Sequence, residues 1–256
     1  MENRIIGIIT AGTNLNSSDI MYEVDMLEFS NVFFKALSQE KIRSYLFGGT
    51  ALNKGFFGER QRLSKDLDLE IDARDDFTET AHKIESCIIK AGYRNIRVDE
   101  HTKRHSVYVF LGDAVGELKL DIVPQQNRIK PIMLTLHSLL EYVGVPAKTI
   151  EVKSYPFEYL LAYKLHALHR RMLYKDIYDS YTGLNLPMDG RKLVRYIGMF
   201  GNAREMLREI INNIENGSYD RDELGYEKLV PEKYKVPVRN MLYELRVKLS
   251  SLPVHL

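Results

Sequence analysis

The sequence is short of several things that would narrow its class at once. It holds a single cysteine, Cys87. One thiol excludes an internal disulfide and a cysteine zinc cluster. Neither sign of charge dominates: 36 lysines and arginines stand against 35 acids. Net charge therefore does not announce a nucleic-acid binder, although a local basic patch is compatible with it. No apolar run approaches the ~20 residues of a membrane span. The start, MENRIIGIITAG, is too short and wrongly flanked for a signal peptide. No internal repeat or low-complexity tract stands out. These absences lead to the expectation of a cytoplasmic, soluble protein with no membrane partner. At 256 residues the chain has room for one large domain or two modest ones.

What is present centres on Tyr45 to Ile71, YLFGGTALNKGFFGERQRLSKDLDLEI. An apolar strand is broken at Gly48-Gly49-Thr50, and a second strand runs from Asp66 to Ile71. Alternation along a strand puts Asp66 and Asp68 on one face and Leu67 and Leu69 on the other. Two such carboxylates repel each other by about 4 kcal/mol at 4 Å with an effective dielectric near 20. A divalent cation removes that cost, and an oxygen-only donor set suits Mg²⁺. A glycine turn lets backbone N–H groups approach a phosphate. Between glycines and aspartates, Lys54, Arg60, Arg62 and Ser64 read either as a charged connector or as phosphate and RNA contacts.

The pattern elsewhere positions this stretch. Residues 1–16 read as an apolar arm or edge strand with a polar loop. Ala11-Gly12-Thr13 lacks the Lys-Ser/Thr ending of a phosphate loop. A helix capped by Ser17 or Ser18 should run to about Gln39. Another should run from Phe77 to Ala91, closed by Gly92. Strands follow at 95–100, 106–111 and 117–123, the last two joined by a hairpin turn at 112–116. The last strand carries Asp121, a third carboxylate able to join Asp66 and Asp68 around two metal ions or to orient an acceptor hydroxyl. Residues 134–142 suggest a short helix and 149–153 a strand.

From Pro156 onward the pattern is helical, with helices expected at 157–172, 176–182, 191–200, 203–215 and 236–252. Strands first and helices after argue for an α+β fold. The expected domains are 1–155, a mixed sheet flanked by helices, and 156–256, a helical C-terminal domain. In FEYLLAYKLHALHRRMLYKDIYDSY, Lys164 reads as a solvated lysine or, on a helix packed over a triphosphate, as a phosphate cation. Asp176 and Asp179 lie one turn apart. His166 and His169 lack an evident third ligand and read as structural or surface histidines.

Four pieces, GGTALNK, RLSKDLDL, KLDIV and YKLHALHRRMLYKDIYD, resemble the AbiEii/AbiGii-type toxins of the DNA polymerase β-like nucleotidyltransferase superfamily. The resemblance covers roughly residues 42–184. It implies a nucleotidyltransferase that moves NMP from an NTP to an acceptor hydroxyl, as the toxin of a toxin–antitoxin or abortive-infection system. The acceptor it implies is an RNA, in particular a tRNA 3′ end, and the partners are an NTP and an antitoxin. Gly48 and Gly49 correspond to the nucleotide-phosphate motif, and Thr50, Lys54, Arg62 and Ser64 are expected to join them in binding the nucleotide. Asp66 and Asp68 correspond to ligands of Mg²⁺, or Mn²⁺ in its place. Lys164 and Asp176 match two further functional positions. The rival expectations are a nucleotidyltransferase acting on a small molecule or protein, and a pseudoenzyme that only binds nucleotide.

Overall fold

A computed structural model describes residues 15–253, apart from 73, 75, 102, 114, 127, 145–146 and 218–229. The expected arm at 1–14, with its Ala11-Gly12-Thr13, lies outside the described residues. The chain divides into two compact units, Met1–Tyr155 and Pro156–Leu256.

The first unit opens with helix α1 (Ser17–Gln39), whose Asn16 side chain accepts from the Asp19 N–H and caps it. Its Met26, Phe29 and Phe33 are buried. Strand β1 (Ser44–Phe47) leads straight into helix α2 (Gly48–Phe56). A single turn of 3₁₀ helix at Gly58–Arg60 and a loop then reach β2 (Asp66–Ile71). Helix α3 (Phe77–Lys90) is capped by Asp76 and followed by Gly92 with φ +101°. Strands β3 (Ile96–His101), β4 (Arg104–Gly112) and β5 (Gly116–Pro124) complete a five-stranded sheet of order β1-β2-β5-β4-β3. The pair β2/β5 is parallel and the other pairs are antiparallel. The sheet is thus mixed, and its one parallel pair is the one that carries the aspartates.

The alternation of β2 and β5 explains the core. Leu67, Leu69, Leu118, Leu120 and Ile122 are fully buried, which leaves the other face of the same strands for polar groups. A small second sheet pairs β6 (Ile132–Leu136) with β7 (Ile150–Ser154). Here the expected short helix at 134–142 is corrected. Residues 132–136 form a strand, and 139–143 form a 3₁₀ turn capped reciprocally by Ser138 and Glu141. The period-two burial of Leu134 and Leu136 prevails over helix propensity, because each side chain gains a partner strand. Of the residues between the glycines and the aspartates, Lys54 lies in the body of α2 and Arg60 in the 3₁₀ turn, so the stretch is more than a connector.

The second unit is helical in its described residues. Its elements are α4 (Phe157–Arg171), α5 (Tyr174–Leu184), α6 (Gly190–Ile197), α7 (Ala203–Glu215) and α8 (Val238–Ser250). Met172 ends α4 in the left-handed region, with φ +44°. Among the described residues no helix is long and apolar enough to cross a membrane.

Candidate active site

The site begins where β1 stops. Phe47 is the register partner of Asp68, so Gly48, the next residue, starts α2 beside that carboxylate. Gly48 has φ +72°, and a Cβ there would stand 2.2 Å from Asp68 Oδ2. Only glycine accommodates both the left-handed backbone and the close approach. The first turn of α2 therefore presents its backbone N–H groups next to an aspartate. N–H groups at a helix start attract phosphate oxygens.

Thr50 locks this turn onto β2. Its hydroxyl donates to the Asp66 carbonyl and shares a hydrogen bond of 2.6 Å with Ser64 Oγ. Asn53 Nδ2 donates to the Gly49 carbonyl at 2.9 Å, and Asn53 Oδ1 accepts from the Arg62 N–H at 3.2 Å. Tyr22 of α1 donates to the Lys65 carbonyl at 2.9 Å. The loop before the aspartates is thus pinned at both ends.

Asp66 and Asp68 are half-buried on one face of β2. Asp68 and Asp121 are register partners across the parallel pair, so the structure brings all three carboxylates onto neighbouring positions. Asp121 is strongly engaged. Its Oδ1 accepts from Arg104 Nε at 3.0 Å and Ser106 Oγ at 2.6 Å. Its Oδ2 accepts from the Arg104 guanidinium and, at 2.9 Å, from Lys119 Nζ. Burial acts to raise the Asp121 carboxyl, and the bonds from Arg104, Ser106 and Lys119 outweigh it, holding it below the ordinary value.

Arg104 and Lys119 were not singled out by sequence reasoning. Their side chains are 47% and 28% exposed, and Arg104 also feels the charge of Asp68. Counting outward from the Gly112–Gly116 pair would set Val107 opposite Asp121. A register shift between Phe110 and Gly112 puts Ser106 there instead, and with it Arg104 two residues on along the same face, which the sequence pattern does not reveal. Glu70 was also passed over, although it shares the strand face of Asp66 and Asp68. It is buried and accepts from the Tyr155 hydroxyl at 2.5 Å. Burial pushes its carboxyl up to about 7 against the opposing effect of that bond.

Two expected nucleotide contacts lie elsewhere. Lys54 is 1% exposed, and its ammonium sits on the carboxylate of Glu23, itself buried and also bonded by Ser138. Lys54 is therefore corrected to a structural cation of the core. The α2 helix turns it inward, a direction that the connector reading could not supply. Arg62 is buried as well, and its guanidinium donates to the Leu63 carbonyl at 2.9 Å.

In the helical unit, Lys164 Nζ lies 2.8 Å from Asp176 and 2.9 Å from Asp179. Arg171 Nε donates to Asp176 Oδ2 at 2.6 Å. Burial raises the Asp176 carboxyl, and Lys164 and Arg171 more than reverse the effect. The lysine is almost fully buried, whereas the Arg171 side chain is 48% exposed. His166 stacks on Phe200 with ring centroids 5.1 Å apart, and His169 bonds Glu209.

Oxygen donors on one strand face, a helix start opened by a glycine, and cations nearby are the groups that phosphoryl-transfer chemistry uses. The family assignment agrees. The profile of the nucleotidyl transferase AbiEii toxin family, type IV toxin–antitoxin system, matches residues 32–246. The chain belongs to this family: it is a nucleotidyltransferase toxin of a type IV toxin–antitoxin system, which implies an NTP substrate and an antitoxin partner.

Among solved structures, the chain is similar to MenT4, a nucleotidyltransferase toxin from Mycobacterium tuberculosis H37Rv. The TM-score is 0.57 at 17% identity, over 92% of this chain and 85% of that one; the likeness is one of fold. ANT(2″)-Ia, in complex with adenylyl-2″-tobramycin, matches at a TM-score of 0.36 and 15% identity, over 87% and 98% of the two chains. Terminal uridylyl transferase 4 from Trypanosoma brucei, with bound GTP, matches at 0.33 and 12% identity, over 87% and 61%. No curated protein matches.

Proposed function

We propose that this toxin is a metal-dependent nucleotidyltransferase that adds NMP from an NTP to the 3′ end of an RNA, a tRNA in particular, in the cytoplasm. The observation that carries the reading is the pairing of Asp66 and Asp68 on one strand face with the Gly48 start of α2. The residues fit a hard divalent cation. Asp66 and Asp68 offer oxygen donors only, the type that Mg²⁺ and Mn²⁺ take. The missing Cβ at Gly48 keeps the space around Asp68 Oδ2 open. Such a cation neutralises triphosphate charge and the charge on the departing pyrophosphate.

The chain's own residues do the rest. In this reading the N–H groups of Gly48, Gly49 and Thr50 take phosphate oxygens, and Ser64 holds Thr50 in place. Asp121 sits beside Asp68, completes the carboxylate row, and holds Arg104 and Lys119 at the surface, where they meet phosphate groups of nucleotide or RNA. In the helical unit, Lys164 and Asp176 are proposed as functional positions. Asp176 joins buried Lys164 to Arg171, and the half-exposed Arg171 is the member of the group that reaches phosphate. The acceptor oxygen bonds to the α-phosphorus as the bond to the β-phosphate breaks, pyrophosphate leaves, and the hydroxyl proton passes to solvent.

The test uses NTP labelled at the α-phosphate, total RNA and Mg²⁺. Label should enter RNA with the parent protein and not with Asp66→Asn. Label confined to small molecules or protein would sink the RNA acceptor; equal transfer by Asp66→Asn would sink the metal assignment.

A further inference from the structure

A second group of ligating side chains lies away from the aspartates. His82 and Glu85 come from α3, Glu100 from β3 and His105 from β4. One nitrogen from each histidine and one oxygen from each glutamate all lie within 4.8 Å of one another. Each placement follows from its element. His82 and Glu85 are three residues apart, so they share a face of the helix. Glu100 and His105 are register partners in the antiparallel β3/β4 pair, so their side chains stand on the same side of the sheet.

The cluster already converges. His82 Nδ1 lies 3.2 Å from Glu85 Oε1, and His105 Nε2 contacts the same oxygen. The rings of His82 and His105 meet edge to face with centroids 5.6 Å apart. The His105 side chain is 4% exposed and that of Glu85 is 20% exposed. A buried imidazole nitrogen is thus aimed at a carboxylate that a second imidazole also meets.

This cluster is separate from the aspartates. His105 and Ser106 are adjacent in a strand and point to opposite faces. Ser106 donates to Asp121, so His105 faces away from the carboxylate row.

We propose that His82, Glu85, Glu100 and His105 form a Zn²⁺ site that clips helix α3 to the β3–β4 hairpin. Two imidazoles and two carboxylates are a four-ligand zinc set, whereas Mg²⁺ disfavours imidazole. Tetrahedral zinc with bonds near 2.0–2.1 Å places its ligand atoms about 3.3 Å apart. Small rotamer adjustments of the exposed His82 and Glu100 close the remaining gap. The role is structural, because four protein ligands leave no open position. The clip also secures β3, which ends the five-stranded sheet on the side opposite β1.

The experiment adds Zn²⁺ to the full chain in excess Mg²⁺, which occupies hard-oxygen sites. Binding is read by competition with a chromophoric chelator, and stability by thermal unfolding. The expected result is one Zn²⁺ per chain and a melting temperature raised by about 5–10 °C at a hundredfold excess over Kd. His82→Ala and Glu100→Gln, both at exposed positions, should weaken binding at least tenfold, remove most of the thermal shift, and leave Mg²⁺-dependent nucleotide transfer unchanged. Asp66→Asn should bind Zn²⁺ as the parent does. No bound zinc, equal binding by His82→Ala and Glu100→Gln, or loss of binding in Asp66→Asn would each overturn the proposal.

Discussion

The carboxylate row of the sheet and the Lys164 cluster of the helical unit hold similar charges in opposite surroundings. On the sheet, Asp66 and Asp68 are half-buried, and Arg104 and Lys119 keep part of their side chains in solvent. In the helical unit, Lys164, Asp176 and Asp179 are almost wholly buried, and only Arg171 reaches the surface. A charge within reach of solvent can be passed to a ligand at little structural cost. A charge inside a satisfied buried network cannot be removed without leaving its partner stranded, at about 3–5 kcal/mol. Substitutions of Asp66 or Asp68 should therefore cost activity at constant stability. Those in the second should cost stability first.

The largest effect expected lies on the sheet. Asp68→Asn should slow transfer about a thousandfold, since each 1.4 kcal/mol lost from the transition state is tenfold in rate. Its melting temperature should stay at that of the parent. A matching fall in stability would erase the contrast between the two regions.

Next comes the buried cluster. Asp176→Ala should lower unfolding free energy by about 3–5 kcal/mol in denaturant titration, because Lys164 and Arg171 lose their shared carboxylate. Arg171→Ala, at the exposed edge, should instead raise the KM for NTP severalfold and leave the melting temperature nearly unchanged. A KM equal to that of the parent would remove the cluster from nucleotide binding.

A smaller, pH-dependent effect belongs to Glu70, which shares the strand face of the aspartates but is sealed by Tyr155. Its folded value near 7 lies above the ordinary 4.5. Between these values the folded chain keeps a proton that the unfolded chain releases. This contribution to stability is therefore fully present below about pH 4.5 and is lost as pH rises through 7. Glu70→Gln should flatten that slope and gain about 2–3 kcal/mol relative to the parent at pH 8. An identical pH profile in denaturant titrations would show that Glu70 does not titrate there.

The legibility of these regions in the sequence follows physical lines. Strand alternation is strictly local, so the shared face of Asp66 and Asp68 could be read directly. The hairpin turn at 112–116 and the apolar side of β5 likewise marked Asp121. What could not be read was partner choice across long separations. Glu23 claims Lys54 from 31 residues away, and Arg104 claims Asp121 from 17. Such pairings depend on helix rotation and sheet register, which only the tertiary fold sets. The start of α2 was hidden for a different reason. Gly48-Gly49 reads as a turn, yet the left-handed Gly48 is the hinge that launches a helix.

The most direct measurement is the mass of RNA 3′ ends after incubation with Mg²⁺ and each NTP in turn, comparing the parent with Asp66→Asn. The parent should lengthen RNA by whole nucleotide residues, with one pyrophosphate released per residue added, while RNA exposed to Asp66→Asn keeps its mass. RNA of unchanged mass in the parent reaction despite pyrophosphate release, or equal extension by Asp66→Asn, would contradict the account.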